Sequence, residues 1–418
     1  NLSNVSTEEF NIAANATGGE NAAIDLEFLA LMPATITDDQ ADDVRNYINN
    51  RNNVFDLKDG FGYYFYDAQK APVGNITQFV VWSGRIVGSD NGDNTSIFGS
   101  QATANDQPVS DGYVVTFADN SDHLDIPSTS QAGWQVVGTS LGTFAYRVNA
   151  NAVTELNLLG NLGNASYRKA GDLYGIILLP ESATGKDIED ARKLLTDRGA
   201  SDGLSVTNLT LYWYGRTDIV EFKNINVSSV TEMQYTWSGI KVTEFPALNA
   251  LVCTNFTAAF EGCNLLSNFG AIQAPICTGF QNTWRGCSAL TSFPAGAKLG
   301  TSAVNVNFTS AWQSSGLTSF PALDLSTGTT FANSFTSSAL TSFPDGIKMG
   351  TAATGDVQFT DTWRDTTLSS FPALDLGNGK FFNGAWRDCH ELTSFPSDIK
   401  LGTLSLIHIS EPTRRYSI

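Results

Sequence analysis

The chain of 418 residues carries 42 acidic against 24 basic side chains, a formal charge of −18 at neutral pH. That excess works against nonspecific binding to nucleic acid or to an anionic membrane and favours solubility, and no apolar run approaches the roughly 20 residues of a membrane-spanning helix. The length is that of two to three domains.

From the N-terminus, the first organising feature is a duplication. Asp25, Leu26, Pro33, Thr37, Asp43, Arg45 and Arg51 return 147 positions later as Asp172, Leu173, Pro180, Thr184, Asp190, Arg192 and Arg198, without a gap. Each copy predicts an apolar strand (Phe28 to Met32; Gly175 to Leu179), a Pro-containing loop, and a charged helix with Val44/Ala191 and Ile48/Leu195 on one side. Residues 1–52 are therefore expected to be the end of one domain, truncated at its start, and residues 53–201 a complete second copy. Asn1 falls inside a domain about 147 residues long by this reckoning, so the expectation is that its true beginning, with any export signal, is missing.

The complete copy is rich in β-formers. Thr77 to Trp82, Tyr113 to Phe117, Trp134 to Val137 and Phe144 to Val148 are β-branched or aromatic runs separated by Gly, Asn, Asp and Ser clusters, which predicts an antiparallel sandwich. A sandwich closed by a strand and a short helix resembles the laminin-G or concanavalin A-like jelly roll. The resemblance implies a module of the kind found in adhesins, phage fibres and glycan-binding proteins. Ser89 to Asn94, and Asp119, Asp122 and Asp125, supply hard oxygens, but neither stretch matches a twelve-residue EF-hand loop. They read as solvated turns, and no metal ligand is assigned.

The C-terminal half beats at a different period. Phe-Pro, once Phe-Gly, falls at Phe245, Phe269, Phe293, Phe320, Phe343, Phe371 and Phe395, in steps of 24, 24, 27, 23, 28 and 24 residues. Before most of these stand an aromatic, a second aromatic four residues later, and a Leu, as in Phe280-Trp284-Leu290-Phe293 and Phe359-Trp363-Leu368-Phe371. Such self-similarity predicts a stacked solenoid over residues 202–403. The aromatic pair suits one helical turn and Leu-Thr-Ser-Phe a short strand ended by proline. The unit resembles the BspA-like leucine-rich repeats of bacterial and phage surface proteins over about residues 205–403, with Phe in place of the usual aliphatic residue and Cys in some copies. That resemblance implies a curved solenoid with a parallel sheet and a role in adhesion. The fold class expected is thus mainly β: an antiparallel jelly roll followed by a leucine-rich-repeat-like β-solenoid with short helical turns.

If the Leu and Phe of each unit point inward, the residues between them form an outer ribbon: Thr291, Ser292, Thr318, Ser319, Thr341, Ser342, Ser369, Ser370, Thr393 and Ser394. These ten are the candidate ligand-binding residues, with β-propensity and solubility as the competing explanation. The column Trp237, Phe260, Trp284, Trp312, Phe335, Trp363, Trp386 reads as core packing in preference to a sugar platform. Cys253/Cys277 and Cys263/Cys287 are each 24 residues apart, in register either as disulfide staples or as buried thiols. Lys298, Lys348 and Lys400 alternate with Asp324 and Asp375, an arrangement with a two-coil superperiod.

Catalytic motifs are missing: the histidines are His123, His390 and His408, and no Gly-x-Ser-x-Gly, His-Glu-x-x-His or phosphate-loop pattern occurs. Neither cofactor, metal nor catalytic residue is assigned, and the protein is read as a non-enzyme. Residues 404–418 break the repeat and resemble the translation of a sequencing-library adapter; if so, the gene was read from fragmentary DNA and further coils would follow. The whole reads as an extracellular, cell-surface or virion-borne recognition protein, a bacterial adhesin or a phage tail fibre, with a glycan or protein partner and no role in nucleic-acid binding or membrane insertion. A glycoside hydrolase or lyase on the sandwich, which needs two suitably spaced carboxylates, and a structural spacer or ice-binding solenoid are the alternatives.

Overall fold

A computed structural model describes residues 133–149, 171–202, 206–223 and 225–402, with the backbone of eight short strands between residues 64 and 156. The chain divides into two compact units, Asn1–Lys58 and Asp59–Ile418. The first, and with it the truncated copy expected over residues 1–52, lies outside the described residues, as do residues 404–418.

The described part is mainly β. In chain order the strands of the N-terminal sheet are β1 (Tyr64–Asp67), β2 (Gly74–Asn75), β3 (Gln78–Ser83), β4 (Thr95–Ser100), β5 (Val109–Ser110), β6 (Val115–Phe117), β7 (Leu124–Asp125), β8 (Gly133–Thr139), β9 (Gly142–Val148), β10 (Glu155–Leu156), β11 (Gly171–Leu179) and β12 (Ile219–Lys223). All their pairings are antiparallel. At the centre, β11 takes β8 on one edge and β1 and β6 on the other; β9 continues from β8 as a hairpin, and β12 adds to β9. The packing on which the jelly-roll expectation rests involves side chains outside the described residues.

Both faces of the β8–β9–β11 region are covered. On one lies α1 (Gly185–Asp197), opened by Thr184 in a capping box with Asp187, which satisfies two donors that a helix start would otherwise leave bare. Its Ala191 and Leu195 are buried on one side as the duplication anticipated, and Ile188 extends that stripe. Helix and sheet come so close that a Cβ on Gly138 would lie 2.7 Å from Leu195 Cβ. On the other face Val137, Phe144, Tyr146, Val148 and Ile176 merge into the solenoid core.

That solenoid makes about seven turns. Each coil's apolar positions stack on those of the next, and three of the resulting interior columns are aromatic. Phe256, Phe280, Phe308, Phe331, Phe359 and Phe382 follow one another with ring centroids 5.1–6.0 Å apart. The Trp/Phe column reads Trp213–Trp237 at 5.8 Å, Trp284–Trp312 at 5.6 Å and Trp363–Trp386 at 5.3 Å, all near parallel. The Phe of each Phe-Pro stands edge to face against its own coil's second aromatic, as in Phe293–Trp284 at 4.8 Å and 81°, the geometry ring quadrupoles favour.

Two local expectations are corrected here. The aromatic pair does not sit on a helical turn. Asn282 (φ 55°) and Gly286 (φ 73°) adopt left-handed conformations, so the segment becomes a run of tight turns: Thr283 N–H bonds to Phe280 O, Arg285 to Asn282 O and Cys287 to Trp284 O. The alternate amides, of Phe280, Asn282, Trp284 and Gly286, point out of the coil and bond to the carbonyls of Asn307, Thr309, Ala311 and Gln313 in the next. This four-bond pattern recurs at seven successive interfaces, from Leu209–Glu232 to Asp365–Arg387. It preserves the four-residue spacing of the aromatics without a helix.

Nor is Leu-Thr-Ser-Phe the repeating strand. Glu244–Phe245 and Asn268–Phe269 do pair in parallel, but further on this segment keeps single links, such as Thr318 N–H to Thr291 O. The short parallel strands flank it instead, just before the first aromatic (Val306–Asn307, Gly328–Thr330, Val357–Gln358, Gly379–Phe381) and beyond Phe-Pro (Lys298–Leu299, Asp324–Leu325, Lys348–Met349, Asp375–Leu376, Lys400–Leu401). Proline removes a donor where the ladder would otherwise run on.

The strands beyond Phe-Pro pair two by two in the later coils, Asp324 opposite Lys348 and Asp375 opposite Lys400, with ion-pair distances of 3.8 and 3.0 Å. Lys298 lies opposite Gln273 instead. Exposed pairs of this kind stabilise by about 0–1 kcal/mol.

Candidate functional site

The ten hydroxyl residues singled out by the repeat are all exposed, while the Leu and Phe on either side point into the core, Leu290 and Leu317 fully buried and Phe293 and Phe320 nearly so. Phe395, in the last coil, is 38% exposed. The backbone brings the pairs together as a column: Thr341 N–H bonds to Thr318 O at 3.0 Å and Thr318 N–H to Thr291 O at 3.1 Å. The first hydroxyls turn back onto the same carbonyls, Thr318 Oγ1 to Thr291 O at 3.3 Å and Thr341 Oγ1 to Thr318 O at 3.2 Å. One hydroxyl in these pairs therefore braces the stack, and its serine neighbour, Ser292, Ser319 or Ser342, is left facing solvent. Thr243 and Ser267 continue the column upstream, Ser267 Oγ donating to Thr243 O at 3.1 Å.

A second hydroxyl column, absent from the sequence reading, runs parallel to it. Thr231 donates to Thr207 O at 3.0 Å, and Thr254 to Thr231 O at 3.1 Å. A third is buried: Thr236, Thr283, Ser334 and Thr362, each just before the second aromatic, donate to the carbonyls of Leu209, Phe256, Phe308 and Phe331 in the preceding coil. The alternation of apolar and small polar residues around each aromatic pair was the signal that could have found it.

The aromatic column is interior: Trp237, Phe260, Trp284, Trp312, Phe335 and Trp363 are 0% exposed and Trp386 5%. It offers no platform to a sugar.

All five cysteines are free and buried. Cys263, Cys287 and Cys389 stand three residues after the second aromatic, where other coils carry Ser315, Ser338 and Thr366, and donate to Trp237 O at 3.1 Å, Phe260 O at 3.2 Å and Trp363 O at 2.9 Å. Burial pushes the Cys263 thiol up to about 12 and raises those of Cys287, Cys277 and Cys389. Burial thus holds these thiols protonated at neutral pH, where Cys263, Cys287 and Cys389 act as hydrogen-bond donors.

Where the sheet meets the first coil, Arg216 and Asp218 form a buried bidentate pair, Nε to Oδ1 at 2.8 Å and Nη2 to Oδ2 at 2.7 Å, with the guanidinium 5.3 Å from the centre of the Tyr146 ring. Burial works against the Arg216 charge, but Asp218 outweighs it and holds the guanidinium protonated. Nothing in the sequence marks this junction beyond an Arg-x-Asp spacing.

A small cavity lies beside that junction, between Thr143, Phe144, Arg192, Asp202, Trp213 and Phe222. At about 10 Å³ it holds roughly one water. No group of three or more potential metal ligands gathers among the described residues; His390 is exposed on the last coil, and His123 lies outside them. No helix there is long and apolar enough to cross a membrane.

Set beside known proteins, the chain matches no family model, no curated protein and no solved structure.

Proposed function

We propose that the protein is a non-enzymatic recognition or adhesion protein of a cell surface or virion, a bacterial adhesin or a phage fibre component, which engages a glycan or protein through the outer face of its solenoid. The observation that carries this reading is the exposed hydroxyl column, linked by backbone bonds from Thr291 through Thr318 and Thr341 to Ser369 and backed by a packed interior. Solenoid faces of this kind present many weak, evenly spaced contacts to an extended partner. The likeness to BspA-like repeats in the C-terminal half, and to laminin-G and concanavalin A-like modules before it, points the same way.

The test is a variant with Ser292, Ser319, Ser342 and Ser370 changed to Lys. Binding of the labelled full chain to bacterial cells and to a glycan array should be lost in the variant while its circular dichroism stays that of the parent. Undiminished binding to the same targets would refute the reading.

A further inference from the structure

Two tyrosines depart from the composition of the turn face. The position after the second aromatic carries polar or charged residues down the stack, from Ser238 and Glu261 to Arg364 and Arg387, but in the first coil it carries Tyr214, 38% exposed. Two residues after the first aromatic the chain must adopt a left-handed conformation. Ala258, Asn282, Ser310, Asn333, Asp361 and Gly384 meet that need with small or locally hydrogen-bonding residues, whereas the first two coils place Leu211 at φ 62° and Tyr235 at φ 52° there. Bulky residues are a poor choice for such a backbone, and of these two only Tyr235 sets an aromatic ring beside Tyr214.

The two rings meet edge to face, with centroids 6.3 Å apart at 78°. Their backbones are pinned: Gly215 N–H, next to Tyr214, bonds to Ser238 O at 2.9 Å, and Tyr235 N–H to Thr257 O at 3.0 Å. Polar groups flank them in sequence and in the neighbouring coils. Gln234 Nε2 lies 3.4 Å from Glu232 Oε2, Glu232 Oε1 accepts from Thr254 at 3.0 Å, and Glu261 pairs with Arg285 at 3.2 Å.

We propose that Tyr214 and Tyr235 form a binding site for an uncharged pyranose oligosaccharide. A pyranose ring offers an apolar C–H face to an aromatic ring and a rim of hydroxyls to amides and carboxylates; Gln234 and Glu232 stand within three residues of Tyr235 in the chain. The chain's charge of −18 favours a neutral sugar over an acidic one. Unlike the hydroxyl column, this site sits next to the Arg216–Asp218 junction, where the solenoid is anchored on the sheet.

The experiment is calorimetric titration of the full chain with cellohexaose, maltohexaose, mannohexaose and chitohexaose. At least one should bind, and Tyr214→Ser and Tyr235→Asn, residues the chain itself uses in these columns, should each weaken it about tenfold. Tyr235→Asn should also match or exceed the parent in melting temperature, because asparagine tolerates the left-handed backbone. A loss of binding in that variant therefore cannot be laid to misfolding. Parental affinity in both variants, or no binding of any of the four hexaoses, overturns the site. The lysine variant of the hydroxyl column keeps the two readings apart: if it loses cell binding but retains hexaose binding, this site stands, and if the tyrosine variants keep hexaose binding and the lysine variant loses it, this site falls and the column stands.

Discussion

The inner and outer columns of the solenoid obey opposite rules. Inside, residues are interchangeable within a shape: Trp gives way to Phe at 260 and 335 with stacking kept, and Cys to Ser or Thr at 338 and 366, whose hydroxyls donate to Phe335 O and Trp363 O. Outside, Thr and Ser are held at a fixed place while their surroundings bury almost nothing. The interior tolerates change only in kind and the exterior tolerates it freely as far as stability goes, so periodicity alone cannot say which columns serve function. Burial can.

The sharpest break of that contrast is Trp312→Ala. This ring is fully buried and stacked between Trp284 at 5.6 Å and Phe335 at 5.1 Å, and its truncation should cost about 3–5 kcal/mol in chemical denaturation. Next comes Arg216→Met, which strands Asp218 as a buried, unpaired carboxylate; about 3 kcal/mol or more should be lost. The double change Arg216→Met with Asp218→Leu should recover much of it.

Replacing Thr283 by Val deletes the buried bond to Phe256 O at 3.1 Å and should cost about 1 kcal/mol, measurable as a shift in denaturant midpoint at unchanged slope. The Cys263→Ser/Cys287→Ser variant probes the same interior through pH. A folded thiol raised from 9.0 to about 12 stays protonated while the unfolded one ionises. Its stabilising contribution is complete below pH 9, declines as pH rises from there, and is gone by about 12. The parent should therefore lose stability over that window more steeply than the serine variant. Smallest of all, a single Ser319→Lys on the outer column should move stability by no more than about 0.5 kcal/mol.

Much of the fold was legible because packing writes itself into spacing. The 24-residue beat located the aromatic and leucine columns but not the buried hydroxyl column of Thr236, Thr283, Ser334 and Thr362, and the 147-residue duplication located β11 and α1 with Ala191 and Leu195 facing inward. What sequence concealed was backbone conformation. An aromatic pair four residues apart is equally compatible with a helical turn and with two tight turns in succession. The deciding residues were those between and after the aromatics, Asn282 and Gly286 in one coil and Asn333 and Ser337 in another, all of them left-handed. Read as loop chemistry instead of spacers, they would have excluded the helix. The exposed column followed directly from the inward Leu and Phe, whereas Tyr214 and Tyr235 were hidden because neither belongs to a repeat average. A site built from exceptions is invisible to a method that looks for recurrence.

The ladder of turns has an electrical consequence. At all seven interfaces the amides of one coil's turn donate toward the C-terminal neighbour and its carbonyls receive from the N-terminal one. Peptide dipoles of about 3.5 D each thus line up along this flank of the stack, as they would in a helix, although no helix is present. Their field lies along the solenoid axis, so a charged partner approaching the turn flank would sense which way along the stack it is facing.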